Sequence, residues 1–445
     1  MESRITGSTA AEIAESIREL HDHGHIAAGD TLPPVRTLAE RLTVNRNTVV
    51  SAYRQLVLAG IAQTHGRGGT RIVDHERTPQ EGFAPGSVLR DVGTGNPDPR
   101  LIPDPSAALS AVVGRPVLYG EPVIDEALEE WAQGWTARDL PDVDLRLTVT
   151  SGAVDAVERL LAQALTRDDA VALEDPCWLA GIQTARLGGY RTIPVPVDEH
   201  GMTVDGLRAA MDAGARAVIC TPRAQNPTGA SLSAERASAL RDVLTDHPYA
   251  LVIEDDHFSL LSQQPFHSIV PTGHRRFALV RSVSKFLGPD MCLAIVASDP
   301  TTAERLALRL SPGTTWVSHL LQRLAATLLA DPDVRTQIDD AGRHYAQRNG
   351  AFLARLATHR GDASTAGAAS TDGLNVWVRT PVPARDVRER LMLRGWLARL
   401  GDDFTLTDVA STHLRLTVHD LDDDDADQLA ADLATAVTTA VSKVG

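Results

Sequence analysis

The stretch Arg281-Ser-Val-Ser-Lys-Phe-Leu-Gly288 contains Lys285, one of only two lysines in a chain of 445 residues. The other, Lys443, lies at the C-terminal end. Arginine supplies the remaining positive charge, so an interior lysine is not a general solubilising group. A deprotonated primary amine can form a Schiff base with an aldehyde, and a guanidinium group cannot. Lys285 is therefore a candidate reactive amine, unless an arginine-rich composition has simply left one lysine behind.

Composition and charge set the class of protein. With 43% hydrophobic and 23% charged residues, the chain has the composition of a globular protein with a large core. It has no apolar leader and no apolar run that could cross a membrane, so we expect a cytoplasmic protein without a membrane partner. The first 77 residues hold nine arginines and nine acidic residues, so the net charge of −15 lies in the remainder. A neutral, arginine-containing segment on an acidic body predicts binding to a polyanion.

Neither the cysteines nor the histidines predict a metal site. The three cysteines are far apart and odd in number, which predicts reduced, buried thiols. They are Cys177, Cys220 and Cys292. His21, His23 and His25 straddle a predicted helix end, and no cysteine or carboxylate completes a ligand set.

Residues 1–75 contain three helical patterns followed by a glycine-rich hairpin. Apolar spacing and end signals predict the helices, and two short β segments flank the turn. The predicted elements are helices 10–20, 33–42 and 45–59 and strands 61–64 and 70–73. Three helices and a hairpin of this size are typical of a winged helix-turn-helix, against the alternative of a helical bundle whose arginines are only solvated.

The start of the third predicted helix carries polar side chains suited to base recognition, because this end meets base edges in the major groove. Arg46 suits bidentate recognition of guanine, and Asn47 suits adenine. Arg36 and Arg67 are predicted to contact phosphates or the minor groove. The predicted DNA-binding residues are Arg36, Asn45, Arg46, Asn47, Thr48, His65, Gly66 and Arg67.

Residues 76–90 are predicted to be a linker, and residues 91–445 to form an α/β domain. In the latter, β-rich apolar runs alternate with helical patterns, which predicts a mostly parallel sheet between helices. The predicted strands are 145–150, 170–174, 191–196, 217–221, 251–255, 277–282 and 293–297. Ligands of such sheets bind beyond the carboxyl ends of the strands.

Polar and aromatic residues fall at these strand ends. Gly152, Ala153, Ser282 and Ser284 offer backbone N–H or hydroxyl groups that suit a phosphate. A second group suits a pyridine ring: an aromatic to stack on it, an amide for a phenolic oxygen and a carboxylate for the ring nitrogen. These are Trp178, Asn226 and Asp255. Together with Lys285, they favour a site for pyridoxal phosphate.

Both parts of the chain resemble known families. Residues 1–75 resemble the GntR-type DNA-binding domain through Leu32-Pro-Pro-Val-Arg36, Val44-Asn-Arg-Asn-Thr-Val49 and Gly66-Arg-Gly-Gly-Thr70. Residues 91–445 resemble fold-type I pyridoxal-phosphate aminotransferases, with Pro222-Arg-Ala-Gln-Asn-Pro-Thr-Gly229 among the matching motifs. The whole chain resembles the MocR subfamily of GntR regulators.

The resemblance implies a role for each matching residue. Lys285 would form the internal aldimine, Asp255 would pair with the pyridine nitrogen, Asn226 would bind O3′ and Trp178 would stack on the ring. The residues implied to hold the phosphate are Gly152, Ala153, Ser282 and Ser284. Arg415 matches the arginine that binds a substrate α-carboxylate.

Two further features follow from the same resemblance. Tyr119 lies in a motif implied to contact the phosphate held by a neighbouring subunit, which implies a homodimer. Residues 310–445 correspond to a smaller C-terminal α+β subdomain.

Two positions depart from the aminotransferase pattern. His257 stands where the family has a tyrosine that binds O3′, and Cys292 stands where it has an arginine that neutralises the phosphate. Loss of such an arginine costs about 2–4 kcal/mol of binding, so we expect weakened or altered cofactor binding. A protonated His257 is predicted to replace the phenol in part and to make binding depend on pH. Arg281 and Arg223 are candidates for the missing positive charge.

The combination predicts a pyridoxal-phosphate-dependent transcriptional regulator. A homodimer would bind paired operator half-sites, and the cofactor, or an amine or amino-acid effector, would be sensed through aldimine exchange at Lys285. Two alternatives stay open: an active amino-acid aminotransferase with an accessory DNA-binding domain, or a regulator whose aminotransferase-like domain is a degenerate dimerisation scaffold.

Overall fold

The computed structural model describes most of the chain, with short gaps. The described residues are 4–27, 29–59, 61–64, 69–72, 81–84, 86–112, 114–140, 144–313, 315–361, 371–407 and 409–441, with only the backbone described for Leu58 and Gln63. The chain divides into two compact units, Met1–Gln80 with Ala185–Tyr190, and Glu81–Thr184 with Arg191–Gly445. Within the described ranges, no helix combines the length and the apolar character needed to cross a membrane.

The first unit is a winged helix-turn-helix, as the sequence predicts. Its elements are α1 (Ala10–Asp22), α2 (Val35–Leu42), α3 (Arg46–Leu58), β1 (Ala62–Thr64) and β2 (Thr70–Ile72). The two strands pair antiparallel. Apolar side chains one helical turn apart on the three helices form the core, including Ile13, Ile17, Leu38, Val49 and Leu56.

Side-chain caps set where the helices of this unit begin. At α1, Thr9 accepts a hydrogen bond from the backbone N–H of Glu12, whose carboxylate accepts one from the N–H of Thr9. At α3, the Asn45 side chain accepts a hydrogen bond from the N–H of Asn47 at 2.9 Å. The sequence prediction started α3 one residue too early, because Asn45 is the cap and not the first helical residue.

The second unit contains the α/β domain. Up to the last strand of its large sheet, its elements are β3 (Arg90–Asp91), α4 (Ser106–Ala111), α5 (Glu126–Ala137), β4 (Arg146–Thr150), α6 (Ala153–Ala164), β5 (Ala170–Asp175), α7 (Leu179–Leu187), β6 (Arg191–Asp198), β7 (Gly201–Met202), α8 (Val204–Asp212), β8 (Ala215–Cys220), α9 (Ala234–Thr245), β9 (Leu251–Asp255), β10 (Phe277–Ser282) and β11 (Ala294–Ser298).

The large sheet has eight strands in the order β4-β11-β10-β9-β8-β5-β6-β7. All run in one direction except β7 and β11, each of which pairs antiparallel with its neighbours. The residues of β9, β10 and β11 are all buried. Strands covered on both faces read as continuous apolar runs in the sequence, which is why the mostly parallel sheet was predictable, and the prediction is confirmed.

A smaller antiparallel sheet follows, in the order β12-β15-β14. The remaining elements are α10 (Pro300–Leu310), α11 (His319–Ala330), α12 (Pro332–Arg360), β12 (Val376–Arg379), α13 (Ala384–Met392), β13 (Trp396–Leu397), β14 (Arg399–Leu400), β15 (His413–Leu416) and α14 (Asp423–Val441). Strand β13 pairs in parallel with β3, so the start of the α/β domain packs with its C-terminal part. This pairing brings residues near position 90 close to β15.

Helix α12 contains two glycines in different surroundings, which gives a test of its packing. A Cβ on Gly342 would lie 2.3 Å from the backbone oxygen of Leu261, whereas a Cβ on Gly350 would lie 3.6 Å from the side chain of Thr371. We expect Gly342→Ala to lower the free energy of unfolding by about 1–3 kcal/mol through overpacking.

Gly350→Ala is the matched control. It lacks the clash and gains helix propensity of up to about 1 kcal/mol, so it should leave stability unchanged or raise it. Urea unfolding of the full chain measures both variants. Equal stability of the two would contradict the close packing of α12 at Gly342.

Candidate functional site

Five residues predicted to bind a cofactor lie at or just after the carboxyl ends of neighbouring strands. Trp178 follows β5, Asn226 follows β8, Asp255 ends β9, His257 lies just after β9 and Lys285 follows β10. Trp178 and Asp255 line one small cavity. Lys285, Asn226 and His257 line another. The strand order of the sheet therefore gathers residues that are far apart in the sequence.

Asp255 is a buried carboxyl group without a complete set of partners. Its side chain is 5% exposed, and its Oδ1 atom has no hydrogen-bond partner among the described residues. Burial, followed by the negative charges of Asp256 and Glu174, raises the pKa of Asp255 to about 7. Leaving such a group unpaired is costly. A cationic ring nitrogen would supply the missing donor, so this end of the site fits a pyridinium ring.

Lys285 has the electrostatics of a reactive amine. Its Nζ atom donates a hydrogen bond to the backbone oxygen of Gly95 at 3.3 Å. Burial lowers the pKa of the ammonium group below its ordinary value, and the positive charge of Arg415 lowers it further, while Glu81 and Asp255 act in the opposite direction. A lower pKa increases the fraction of neutral, nucleophilic amine at neutral pH.

His257 lines the same cavity as Lys285, but it is not the protonated group that the sequence suggested. Burial, followed by the positive charge of Lys285, lowers the pKa of His257 to about 4. The imidazole is therefore neutral at pH 7, and the prediction of a protonated His257 is wrong. A neutral imidazole still donates one N–H, so His257 keeps the capacity for one hydrogen bond to a phenolic oxygen.

The predicted phosphate-binding residues form two structures. Gly152 has a φ angle of 90°, in the left-handed region that glycine favours, and α6 begins at Ala153. The first backbone N–H groups of a helix lack intrahelical acceptors and suit an anion. Ser282 Oγ donates to Ser284 Oγ at 3.0 Å. The hydroxyl pair after β10 and the start of α6 are thus the groups available to a phosphate.

Cys292 lies beside the start of α6. Its Sγ atom donates to the backbone oxygen of Ser151 at 3.4 Å and lies 3.7 Å from the position that a Cβ on Gly152 would take. A thiol therefore lies next to the predicted phosphate-binding loop, where the resemblance implies an arginine. The prediction of three buried thiols is wrong for Cys292, which is exposed with left-handed backbone at the end of a short 3-10 helix. Cys177 and Cys220 are buried.

Arg223 and Arg281, the candidates for the missing charge, both bind Asp256. Arg223 forms a fork with Nε–Oδ1 and Nη2–Oδ2 distances of 2.8 and 2.9 Å. Arg281 Nε donates to Asp256 Oδ2 at 2.8 Å, and its Nη2 pairs with Asp139. Burial opposes ionisation of Asp256, but the two arginines outweigh it and hold its pKa below the usual range. Their charge is committed to Asp256 and does not replace the arginine missing at Cys292.

Arg415 lies on β15, fully buried, and it already has a carboxylate partner. Its Nη1 and Nη2 atoms donate to Oε1 and Oε2 of Glu81, both at 2.7 Å. Nη1 also donates to Oδ1 of Asn226 at 3.2 Å, and Nη2 to the backbone oxygen of Gly93 at 2.8 Å. Glu81 was missed by the sequence reasoning, because it falls within the predicted linker and belongs to no motif.

In the winged helix, the predicted recognition residues lie at the start of α3. Asn45, Arg46 and Asn47 are exposed and Thr48 is partly exposed. Arg36 on α2 is exposed and pairs with Glu40 at 2.9 Å. The three predicted contacts of the wing, His65, Gly66 and Arg67, lie outside the described residues. The described part of the predicted interface is thus on the surface, and the capping role of Asn45 is one the sequence reasoning did not give it.

Tyr119, predicted to reach a neighbouring subunit, is 88% exposed. Its ring centroid lies 5.3 Å from that of Trp316. A second copy of the chain could reach it at this position, and the contact stays a prediction.

Comparison with known proteins covers both parts of the chain. Residues 9–72 match the family of bacterial regulatory proteins called gntR, and residues 117–433 match aminotransferase class I and II. The vitamin B6 salvage pathway transcriptional repressor PtsJ of Salmonella typhimurium is 44% identical over 97% of this chain and 99% of its own length. The probable rhizopine catabolism regulatory protein MocR of Rhizobium meliloti is 22% identical over 79% of this chain and 78% of its own.

Solved structures show the same fold for the α/β domain. The kynurenine aminotransferase of Pyrococcus horikoshii has a TM-score of 0.70 at 21% identity, covering 80% of this chain and 92% of that one. At this identity the likeness shows the fold alone. It agrees with the mixed, mostly parallel sheet described above.

The contrast between Asp255 and Asp256 gives a test of the site's electrostatics. The pKa of folded Asp255, about 7, is above that of an unfolded aspartate, about 3.9. Between these values the folded state holds a proton that the unfolded state releases, so the stability contributed by Asp255 is lost as the pH rises through this window. In cofactor-free protein, Asp255→Asn should remove on the order of 1–3 kcal/mol of that pH dependence.

Asp256→Asn should behave differently. It removes the ionised partner of two buried guanidinium groups and should cost about 3–5 kcal/mol. Unfolding by urea at a series of pH values measures both variants. Similar losses of stability for the two would contradict the division between an unpaired Asp255 and a doubly paired Asp256.

Proposed function

This chain belongs to the MocR-like regulators, in which a gntR-family DNA-binding domain is joined to a domain of aminotransferase class I and II, and we propose that it regulates transcription in response to pyridoxal phosphate. The winged helix binds operator DNA, and the α/β domain holds the cofactor. We also propose that the chain acts as a homodimer, with Tyr119 at the contact between subunits, so that two winged helices bind paired half-sites.

The observation that carries the cofactor proposal is the buried Oδ1 atom of Asp255, which has no hydrogen-bond partner in the described part of the chain and lies at a strand end next to that of Lys285. Pyridoxal phosphate supplies an aldehyde that condenses with amines and a ring that accepts electrons. Asp255 would pair with the ring nitrogen, Trp178 would cover a ring face and Asn226 would hydrogen-bond the phenolic oxygen. Lys285, with its lowered pKa, would supply the neutral amine for covalent attachment.

The phosphate would be held mainly by neutral groups. These are the backbone at Gly152 and Ala153 and the hydroxyls of Ser282 and Ser284. Cys292 adds no positive charge, which costs about 2–4 kcal/mol relative to an arginine at that position. A cofactor bound less tightly exchanges with its free pool. This supports the cofactor itself as the signal, in keeping with the vitamin B6 role of the related Salmonella repressor.

Replacing Lys285 tests the cofactor proposal. The wild type should bind added pyridoxal phosphate in an equilibrium titration and show the visible absorbance of the bound cofactor. Borohydride reduction should attach the pyridoxyl group permanently to the peptide that contains Lys285, which peptide mass spectrometry detects. Lys285→Ala should lose all three signals, and operator affinity, measured by fluorescence anisotropy, should stop responding to added cofactor.

Lys285→Arg is the control, because it keeps the positive charge but cannot form a Schiff base. Like Lys285→Ala, it should lose the absorbance of the bound cofactor, the borohydride labelling and the response of operator binding to added cofactor. A wild type that binds no cofactor even in excess, or operator binding that does not respond to it, would leave the α/β domain as a dimerisation scaffold. Transfer of amino groups between amino acids and keto acids at enzymatic rates would instead favour an aminotransferase with an accessory DNA-binding domain.

The DNA interface has its own test at the exposed start of α3. Arg46→Ala should weaken specific binding by about 1–3 kcal/mol and relax the preference at one base pair of each half-site. Selection from a randomised duplex library measures the preference. Arg18→Ala on α1, where Arg18 pairs with Glu15, is the control and should keep both affinity and preference. Unchanged preference in Arg46→Ala would refute α3 as the recognition helix.

A further inference from the structure

A carboxylate from within the chain occupies the guanidinium group of Arg415. Both oxygens of Glu81 are bound, at 2.7 Å each, in a parallel fork with Nη1 and Nη2. This is the pairing with which an arginine holds the carboxylate of a ligand. The two residues are 334 positions apart in the sequence, so the contact is a tertiary one and not a local turn.

The residues around this ion pair contact it and leave room for it. Gly93 accepts a hydrogen bond from Nη2 of Arg415 at 2.8 Å through its backbone oxygen. The ring of Phe404 lies under the guanidinium group at 4.7 Å. A Cβ on Gly95 would come within 2.7 Å of Oε2 of Glu81 and 2.8 Å of Nη2 of Arg415. Glycine, with a φ of +67° here, is the residue that leaves room for the ion pair.

Glu81 is also tied to other residues of the candidate site. Nδ2 of Asn226 lies 3.4 Å from Oε1 of Glu81, and Oδ1 of Asn226 accepts from Arg415. Burial acts to raise the pKa of Glu81, but the charge and hydrogen bonds of Arg415, followed by the charge of Lys285, keep it below the ordinary value. The side chain is therefore an ionised carboxylate at neutral pH that is bound to Arg415 and feels the charge of Lys285.

We propose that Glu81 is an internal ligand of the carboxylate subsite at Arg415, and that any carboxylate-bearing ligand must displace it. The subsite then selects against amino acids, and it favours amines or aldehydes that lack a carboxylate. Only one part of this proposal depends on the proposed function, namely that the cavity binds a cofactor and amines. The occupancy of Arg415 by Glu81 is independent of it.

The competition is unequal because Glu81 is attached to the chain. A tethered group acts as if present at about millimolar or higher concentration. A free carboxylate whose dissociation constant for the open subsite is about millimolar would therefore not displace Glu81. Since Glu81 falls within residues 76–90, the predicted linker, binding of a carboxylate at Arg415 and anchoring of this part of the linker exclude each other.

The test uses the full-length, cofactor-free protein and a carboxylate without an amine, so that neither cofactor nor DNA enters the measurement. Succinate binding is measured by isothermal titration calorimetry on the wild type, Glu81→Gln and Glu81→Ala. We expect binding to the two variants to be at least about tenfold tighter than to the wild type, because the tethered competitor is gone. Glu158→Gln, which changes an exposed glutamate on α6, should match the wild type.

Loss of Glu81 leaves Arg415 buried without its partner, so the variants are also followed by thermal unfolding. Added acetate should raise the melting temperature of Glu81→Ala more than that of the wild type, with equal chloride as the control for ionic strength. If Glu81→Ala does not fold, Glu81→Gln, which keeps the size of the side chain and one acceptor oxygen but removes the charge and the second acceptor, carries the comparison. Wild-type affinity for succinate equal to that of the folded variants overturns the proposal, as does a folded variant without a gain in carboxylate binding.

The outcomes are distinct from those of the cofactor experiment. Failure of the wild type to bind pyridoxal phosphate would reject the proposed function and leave the succinate result unaffected. Tight succinate binding by the wild type would reject the role of Glu81 and leave cofactor binding and operator binding unaffected.

Discussion

The ion cluster around Asp256 is the constraint on which the candidate site depends. Asp256 is fully buried and bonds two arginines, Arg223 from the loop after β8 and Arg281 from β10. Successive side chains at a strand end face opposite sides of the sheet, so fixing Asp256 on one side directs Asp255 to the other. The arginines keep Asp256 ionised, and its charge helps to keep the pKa of Asp255 high. Asp256 thus has a structural role as the partner of two arginines, and Asp255 remains available to a ligand.

Two further buried acids lie near this cluster, each with partners of its own. Glu174, at the end of β5, accepts hydrogen bonds from the N–H of Thr221 and from Gln225, and Glu254 accepts them from Ser268 and Ile269. Burial raises the pKa of both carboxyls to about 7. Their hydrogen bonds join strand ends to the loops that follow them, so these acids hold the loops in place. Asp255 differs because its Oδ1 atom has no such donor.

Much of this arrangement could be predicted from the sequence, because its signals are local. Strands β9 and β10 have the predicted limits, since buried strands of a parallel sheet are continuous apolar runs with polar ends. The outcome at His257 and Cys292 was not predictable in this way. The protonation of His257 depends on burial and on Lys285, and Cys292 is exposed at the end of a short 3-10 helix whose position the sequence did not indicate. Glu81 gave no signal, because its partner is on a distant strand and neither periodicity nor motif connects them.

Lys285 and Arg415 are two cations of the candidate site that act on the same carboxylate, Glu81. They differ because a lysine amine can lose its proton in a protein whereas a guanidinium group does not. Protonated Lys285 strengthens the hold on the Glu81 carboxylate, and neutral Lys285 weakens it. The charge of Glu81 in turn favours the protonated lysine. The charge of the amine and the binding of Glu81 at Arg415 are therefore linked through one side chain.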